Sequence, residues 1–181
     1  MRKLFDRFSL FELMILALLA AVGVAVKPLT VAVSHIVTGP LSIPGGALSG
    51  GLYMLFVILG GALVNKPWAA TMVCAIQCLM VMTTGIYGTH GAASVITYMT
   101  PGLLADLLWL IWGTGGYGSL QCFFGCVAAN VAGSLAVNLV FFRLPPLILL
   151  FSIILAAFSG GIGGIIAWNI AKTLKQEKAL G

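Results

Sequence analysis

The chain has 181 residues, of which 61% are hydrophobic and only 7% are charged. Soluble globular domains carry roughly 25% charged residues, so this composition excludes a soluble domain and indicates an integral membrane protein. The formal net charge is +5, which we assign to membrane topology and not to nucleic-acid binding.

Six apolar runs are long enough to cross a hydrocarbon core about 30 Å thick, which needs about 20 helical residues. In chain order they are predicted near residues 9–27, 45–64, 67–84, 92–113, 119–141 and 146–171. The runs are continuously apolar and lack the segments of about ten alternating residues that build a transmembrane β-barrel. The sequence therefore predicts an all-α integral membrane protein with six transmembrane helices in one domain over residues 1–181.

The first run contains the stretch ALLAAVGVAVKP, in which Ala17, Ala21 and Ala25 recur every four residues. Basic residues precede this run, as in a secretory signal peptide, but we expect a retained helix. Small residues at this spacing let two helices approach closely in a bilayer. The spacing alone leaves open whether the approaching helix belongs to this chain or to a partner.

The nine Lys and Arg residues indicate the orientation, because cytoplasmic loops are enriched in basic residues. Only Lys27 and Arg143 fall outside if the N-terminus is cytoplasmic. The seven that then fall inside are Arg2, Lys3, Arg7, Lys66, Lys172, Lys175 and Lys178. We therefore predict a multi-pass protein of the cell membrane with both termini in the cytoplasm.

Polar residues concentrate in the predicted outer halves of the helices and in the outer loops. Such groups are costly in lipid and should face one another, water or a ligand. Single amides also join helices to one another, so each residue alone has a structural alternative. A mostly apolar pocket with a few oriented polar groups typically binds a small molecule. The predicted substrate-binding residues are Tyr53, Gln77, Tyr98, Asn138, Asn130, His35 and His90.

The ligand expected from these residues is a neutral ring compound, hydrogen-bonded by amides and stacked on aromatic side chains. This expectation depends on the absence of a predicted cation near the middle of the membrane. Lys27 and Arg143 are expected only at the rim of the pocket.

Asp106 is predicted in the inner half of the fourth helix, away from the outer polar groups. We expect a structural or coupling role for it. The alternative is a self-sufficient secondary transporter or channel that uses Asp106 as its titratable group.

Catalytic and nucleotide-binding motifs are absent from the sequence. Without a phosphate-binding loop, the chain cannot itself couple ATP hydrolysis to transport. Two Cys-x-x-x-Cys pairs, Cys74 with Cys78 and Cys122 with Cys126, lie in predicted apolar helices, whereas zinc-finger ligands typically lie on loops, and buried cysteine is a common small apolar residue. We expect no enzymatic activity, no cofactor and no metal site.

The sequence resembles the substrate-binding S components of energy-coupling factor (ECF) transporters. The stretches IPGGALSGGLYMLFVILGGALVNKPWAA, GIYGTHG and PGLLADLLWL carry the resemblance, together with the length, the six spans and the alanine pattern. The resemblance covers most of the chain.

The resemblance implies a function and partners. An S component captures a vitamin or similar micronutrient from outside, and it docks on a transmembrane coupling subunit that works with two cytoplasmic ATPases. Carried over, Ala17, Ala21 and Ala25 would form the docking face. The stretches NKPWAA and PGLLAD are similar to the branch associated with thiamine or its hydroxymethylpyrimidine precursor, although that branch carries acidic residues where this chain has Gln77.

Overall fold

The computed structural model describes residues 8–85, 93–112 and 117–180. These residues form six α-helices joined by short connections, with a 3-10 turn at Gly39–Leu41 and a π-helical turn at Asn138–Phe142. The helices are α1 Leu10–Thr38, α2 Gly45–Val64, α3 Ala69–Thr84, α4 Ala93–Trp112, α5 Ser119–Val137 and α6 Pro146–Leu180. The predicted all-α membrane fold is confirmed.

Five of these helices are long and apolar enough to cross a membrane, whereas α3 has 16 residues and is shorter than the others. The number of spans and the cytoplasmic position of the termini therefore stay predictions. In the predicted topology, the ends of α1, α3 and α5 and the starts of α2, α4 and α6 lie on the outer side. We call this side of the bundle the outer end.

The first helix is longer than predicted. The sequence placed its end at residue 27 and a connection from Pro28 to Pro44, but α1 continues through Pro28 to Thr38. Proline removes one helical hydrogen bond, and the neighbouring carbonyls of Val26 and Lys27 both accept from the Thr30 hydroxyl at 3.1 Å. Thr30 therefore adds hydrogen bonds in the turn around Pro28, but not to the carbonyl of Val24, which is the one that Pro28 leaves without its helical donor.

Helix α2 lies at the centre of the bundle and contacts each of the other five helices. In its most apolar window 72% of the residues are buried, against 17% for α1. Six glycines in α2 explain this position, because a residue without a side chain lets a neighbouring backbone approach closely. At Gly51, a Cβ atom would collide with the backbone of Ser159 on α6, and the Gly51 amide donates to the Ser159 hydroxyl at 2.9 Å.

Asn130 on α5 joins three helices. Its amide nitrogen donates to the carbonyl oxygen of Ala47 on α2 at 3.3 Å and to that of Ala156 on α6 at 2.9 Å. A Cβ atom on Gly50 would overlap the Asn130 amide, so this glycine makes the space that the side chain fills. Its exposed fraction is 1%. These contacts are those of an amide that joins helices to one another, which is the structural alternative to a role in ligand binding.

Candidate functional site

A cavity of about 320 Å³ lies at the outer end of the bundle. It is formed by the second half of α1, the first three turns of α2, the start of α4, the end of α5 with the π-helical turn, and the start of α6. Most of its wall is apolar. The polar side chains that line it belong to Lys27, His35, Tyr53, Thr97, Tyr98, Ser134, Asn138 and Ser152.

Lys27 lies inside this cavity and not at its rim, which corrects the sequence expectation. Its ammonium nitrogen donates to the Tyr98 hydroxyl at 2.8 Å. The same nitrogen lies 4.2 Å from the centre of the Tyr98 ring and 5.3 Å from that of Tyr53. Aromatic faces attract cations, so the two tyrosines hold the charge within the bundle. The depth follows from α1, since the helix continues for 11 residues beyond Lys27 and therefore places this residue below the outer end.

The end of α5 forms a second part of the wall. Asn138 begins the π-helical turn, and its carbonyl oxygen accepts from the Arg143 amide at 2.8 Å. Its side-chain oxygen accepts from the Leu144 amide, also at 2.8 Å. The turn places Phe142 and Leu144 on the cavity wall. Turns of this type occur often at functional sites.

Four predicted ligand residues line the cavity, namely His35, Tyr53, Tyr98 and Asn138. His35 is exposed on the last turns of α1, where a loop was expected. The Tyr53 hydroxyl donates to the carbonyl of Gly46 at 3.2 Å, which holds the ring against the start of α2.

The other three predicted ligand residues lie elsewhere. Gln77 lines a smaller cavity of about 20 Å³, which shares Lys27, Tyr53 and Tyr98 with the larger one. Asn130 does not line either cavity, because both of its hydrogen bonds go to helix backbones. His90 lies outside the described residues.

Asp106 lies near the opposite end of the bundle, as its predicted depth indicated. Its carboxylate accepts from the backbone amide of Thr71 at 2.7 Å and from the Thr71 hydroxyl at 2.6 Å. The Tyr117 hydroxyl lies 3.5 Å from the other carboxylate oxygen. Thr71 is in the first turn of α3, where backbone amides lack helical partners. Asp106 thus caps α3 from α4, which supports a structural role.

Replacing Asp106 with alanine is expected to destabilise the protein but to leave ligand binding unchanged. The partly buried Thr71 amide would lose its acceptor, at a cost of about 1–3 kcal/mol. Thermal unfolding in detergent measures the stability, and titration calorimetry with the ligand measures its affinity. Loss of uptake in a correctly folded variant that still binds the ligand would instead support the secondary-transporter alternative.

The four cysteines are buried and not joined in disulfides. One pair lies on α3, and the other lies on α5 against the backbone of α6. Within the described ranges, no three His, Cys, Asp or Glu side chains are placed to hold a metal ion.

The alanine face of α1 points largely away from the bundle. Ala17 and Ala25 are exposed and Ala21 is partly buried, whereas Leu16 and Ala20 pack inward. Large apolar side chains flank the alanines, including Met14 and Leu18, which are 62% and 66% exposed. The surface is therefore apolar, and the small alanine side chains form a groove between the larger ones. Such a surface can contact either lipid or a second membrane helix.

Comparisons with known proteins agree with this architecture. A solved structure described as an S-component of an ECF transporter superposes with a TM-score of 0.74 and 17% sequence identity. The match covers 96% of this chain and 88% of that chain, so the two share a fold. No curated protein sequence matches significantly.

Residues 11–133 match the family described as the permease component of an ABC-type cobalt transport system. The matched segment spans α1 to α4 and most of α5, which includes Lys27, both cavity tyrosines and Asp106. The predicted resemblance to S components is confirmed, and the location in the plasma membrane as a multi-pass protein is confirmed with it. The chain therefore belongs to the family of permease components of ABC-type cobalt transport systems, and it has the fold of an ECF S component.

Proposed function

We propose that this chain is the substrate-binding S component of an ECF transporter, which captures a small ring compound from outside and delivers it with a separate motor. The cavity at the outer end is the observation that carries the proposal. Its volume of about 320 Å³ lies at the lower end of the range of about 300–1,000 Å³ that is typical of small-molecule sites. The fold shared with an S component supports the same function.

The substrate that we propose contains an aminopyrimidine ring, as thiamine and hydroxymethylpyrimidine do. The sequence resemblance to the thiamine branch supports this class of compound. Two tyrosine rings, Tyr53 and Tyr98, line the cavity and offer faces on which a heteroaromatic ring can stack. Hydrogen-bonding side chains lie around them, so the site can hold such a ring in one orientation.

The description of the matched family favours a second candidate substrate, the cobalt ion. The charge of the cavity argues against it. The Lys27 ammonium lies in the wall, held by Tyr98 at 2.8 Å, and it would repel a divalent cation in this site of low dielectric constant. The uncharged ring of hydroxymethylpyrimidine meets no such repulsion. Thiamine carries one positive charge on its thiazolium ring, so the charge of the cavity favours hydroxymethylpyrimidine over thiamine.

The partners that we propose are a transmembrane coupling subunit and two cytoplasmic ATPases. The exposed alanine face of α1 supports the first, since it offers a shallow surface to a second membrane helix. In this proposal the chain itself performs no chemistry, and the ATPases supply the energy.

Calorimetry on the purified full-length chain tests the substrate. We expect hydroxymethylpyrimidine to bind with micromolar or tighter affinity, thiamine to bind more weakly because of its positive charge, and cobalt chloride to give no heat above its dilution. Binding of cobalt with no response to either organic compound would overturn the proposed substrate. Mass spectrometry of small molecules that stay bound through purification is an independent check.

A further inference from the structure

We infer that the cavity recognises an acceptor-bearing, uncharged or anionic face of its ligand, held by two donors, the Lys27 ammonium and the Asn138 amide nitrogen. The inference rests on the proposed function, because it describes how the same cavity selects its ligand. The two donors lie on different elements of the wall, Lys27 on α1 and Asn138 at the start of the π-helical turn that follows α5.

Lys27 has donors to spare. A lysine ammonium carries three N–H bonds and no acceptor, and one of these bonds is directed at the Tyr98 hydroxyl. The described lining contains no aspartate or glutamate that would neutralise the charge. A ligand oxygen or ring nitrogen in the cavity can therefore accept a hydrogen bond from a charged donor, which is stronger than one from a neutral donor.

Asn138 also presents a hydrogen-bond donor to the cavity, because its side-chain oxygen already accepts a hydrogen bond. The Leu144 amide donates to Oδ1 at 2.8 Å, so the Nδ2 group is the end of the amide left for a ligand. Among the described residues, this Nδ2 group has no hydrogen-bond partner. The side chain is 6% exposed, and the π-helical bond from Arg143 fixes its backbone at the same position. The amide is thus oriented before any ligand enters.

The cavity hydroxyls complement these donors. Those of Tyr53, Thr97 and Ser152 each donate to a carbonyl of their own helix. Their oxygens retain lone pairs and can accept from an amino group. A ring with nitrogen acceptors and one exocyclic amino group satisfies both sets of groups. A ring without acceptors leaves the N–H bonds of the ammonium that are not directed at Tyr98 without an acceptor on the ligand.

Two compounds of the same shape test the inference. Hydroxymethylpyrimidine has two ring nitrogens, and 2-amino-4-methylbenzyl alcohol replaces both with C–H groups. We expect the unaltered protein to bind the pyrimidine on the order of tenfold to a hundredfold more tightly, as a hydrogen bond from a charged donor implies.

Substitutions show which residues cause the preference for the pyrimidine. Lys27→Met should remove most of the preference, and Lys27→Arg should keep part of it. Asn138→Asp retains an acceptor for Leu144 but loses the donor, so it should weaken binding of the pyrimidine. Lys172→Met is the matched control, since it makes the same substitution at an exposed lysine on α6 that does not line the cavity. An undiminished preference in Lys27→Met would overturn the inference.

The inference can fail separately from the proposed substrate. If the unaltered protein binds neither compound, the aminopyrimidine assignment is wrong. Thermal stability with benzoate and with benzylammonium then tests the donors alone. Stabilisation by benzoate that Lys27→Met abolishes supports the inference, and stabilisation by benzylammonium overturns it.

Discussion

Leucine in place of Ala17 is expected to reduce ligand uptake by tenfold or more and to leave ligand binding unchanged. Ala17 is exposed on α1, ten residues before Lys27, and it does not line the cavity. A leucine adds three carbon atoms to the strip that the proposed partner helix would approach closely, and overpacking of this kind costs typically about 1–3 kcal/mol. Each 1.4 kcal/mol is about tenfold in affinity, so docking should fail while capture continues.

Two measurements separate these effects. Uptake of labelled substrate is measured in cells that contain an ECF motor, and binding is measured on the purified variant. Ala25→Leu should behave like Ala17→Leu. Val95→Leu on α4 is the control, because Val95 is 42% exposed on a different helix. Normal uptake by both alanine variants would show that this face of α1 is covered by lipid and not by a partner.

The sequence predicted the number and order of the helices well, because most of the long apolar runs are bounded by residues that favour turns, such as proline and glycine. The starts of α2 and α6, for example, follow prolines, and the structure begins both helices where the sequence placed them. The start of α1 is set by a local signal, the Ser9 and Glu12 capping pair. The error came at Pro28, where the residues of the predicted loop extend α1. Whether a helix continues through proline depends on tertiary contacts, which a local pattern does not contain.

The misplacement of Lys27 followed from the same error. With α1 ending at residue 27, the lysine belonged to a loop and counted only toward topology. With α1 continuing, it lies in the cavity between Tyr53 and Tyr98. The available signal was the apolar sequence after Pro28, which is long enough to add three turns of helix. Asn130 was placed among the ligand residues, but the sequence did not display its hydrogen bonds to α2 and α6, because they depend on how the helices pack.

Replacing Gly51 with alanine is expected to lower the thermal stability of the protein and to weaken ligand binding. The new Cβ atom would overlap the backbone carbonyl of Ser159, which cannot move without displacing α6 from α2. The carbonyl of Gly51 lies against Gly163 of α6. The backbones of α2 and α6 are therefore in contact at both Ser159 and Gly163.

The effect on binding follows from the continuity of these helices. Both α2 and α6 reach the cavity, through Gly45–Ala47 and through Leu149 and Ser152 respectively. A displacement of α6 therefore changes the distance between two walls of the site. The cost of overpacking is typically about 1–3 kcal/mol and rises when the obstacle is backbone. Calorimetric affinity and thermal unfolding in detergent should worsen together in this variant.

Gly125→Ala is the matched control for this steric argument. Gly125 is also buried in the bundle, but a Cβ atom there would lie 3.4 Å from the Ile58 Cδ1 atom, an ordinary contact at the flexible end of a side chain. Alanine is also favoured over glycine within a helix by roughly 1 kcal/mol. We therefore expect equal or slightly higher stability for Gly125→Ala and unchanged affinity. If Gly51→Ala were as stable as Gly125→Ala, the close contact of α2 and α6 would not determine the position of the cavity walls.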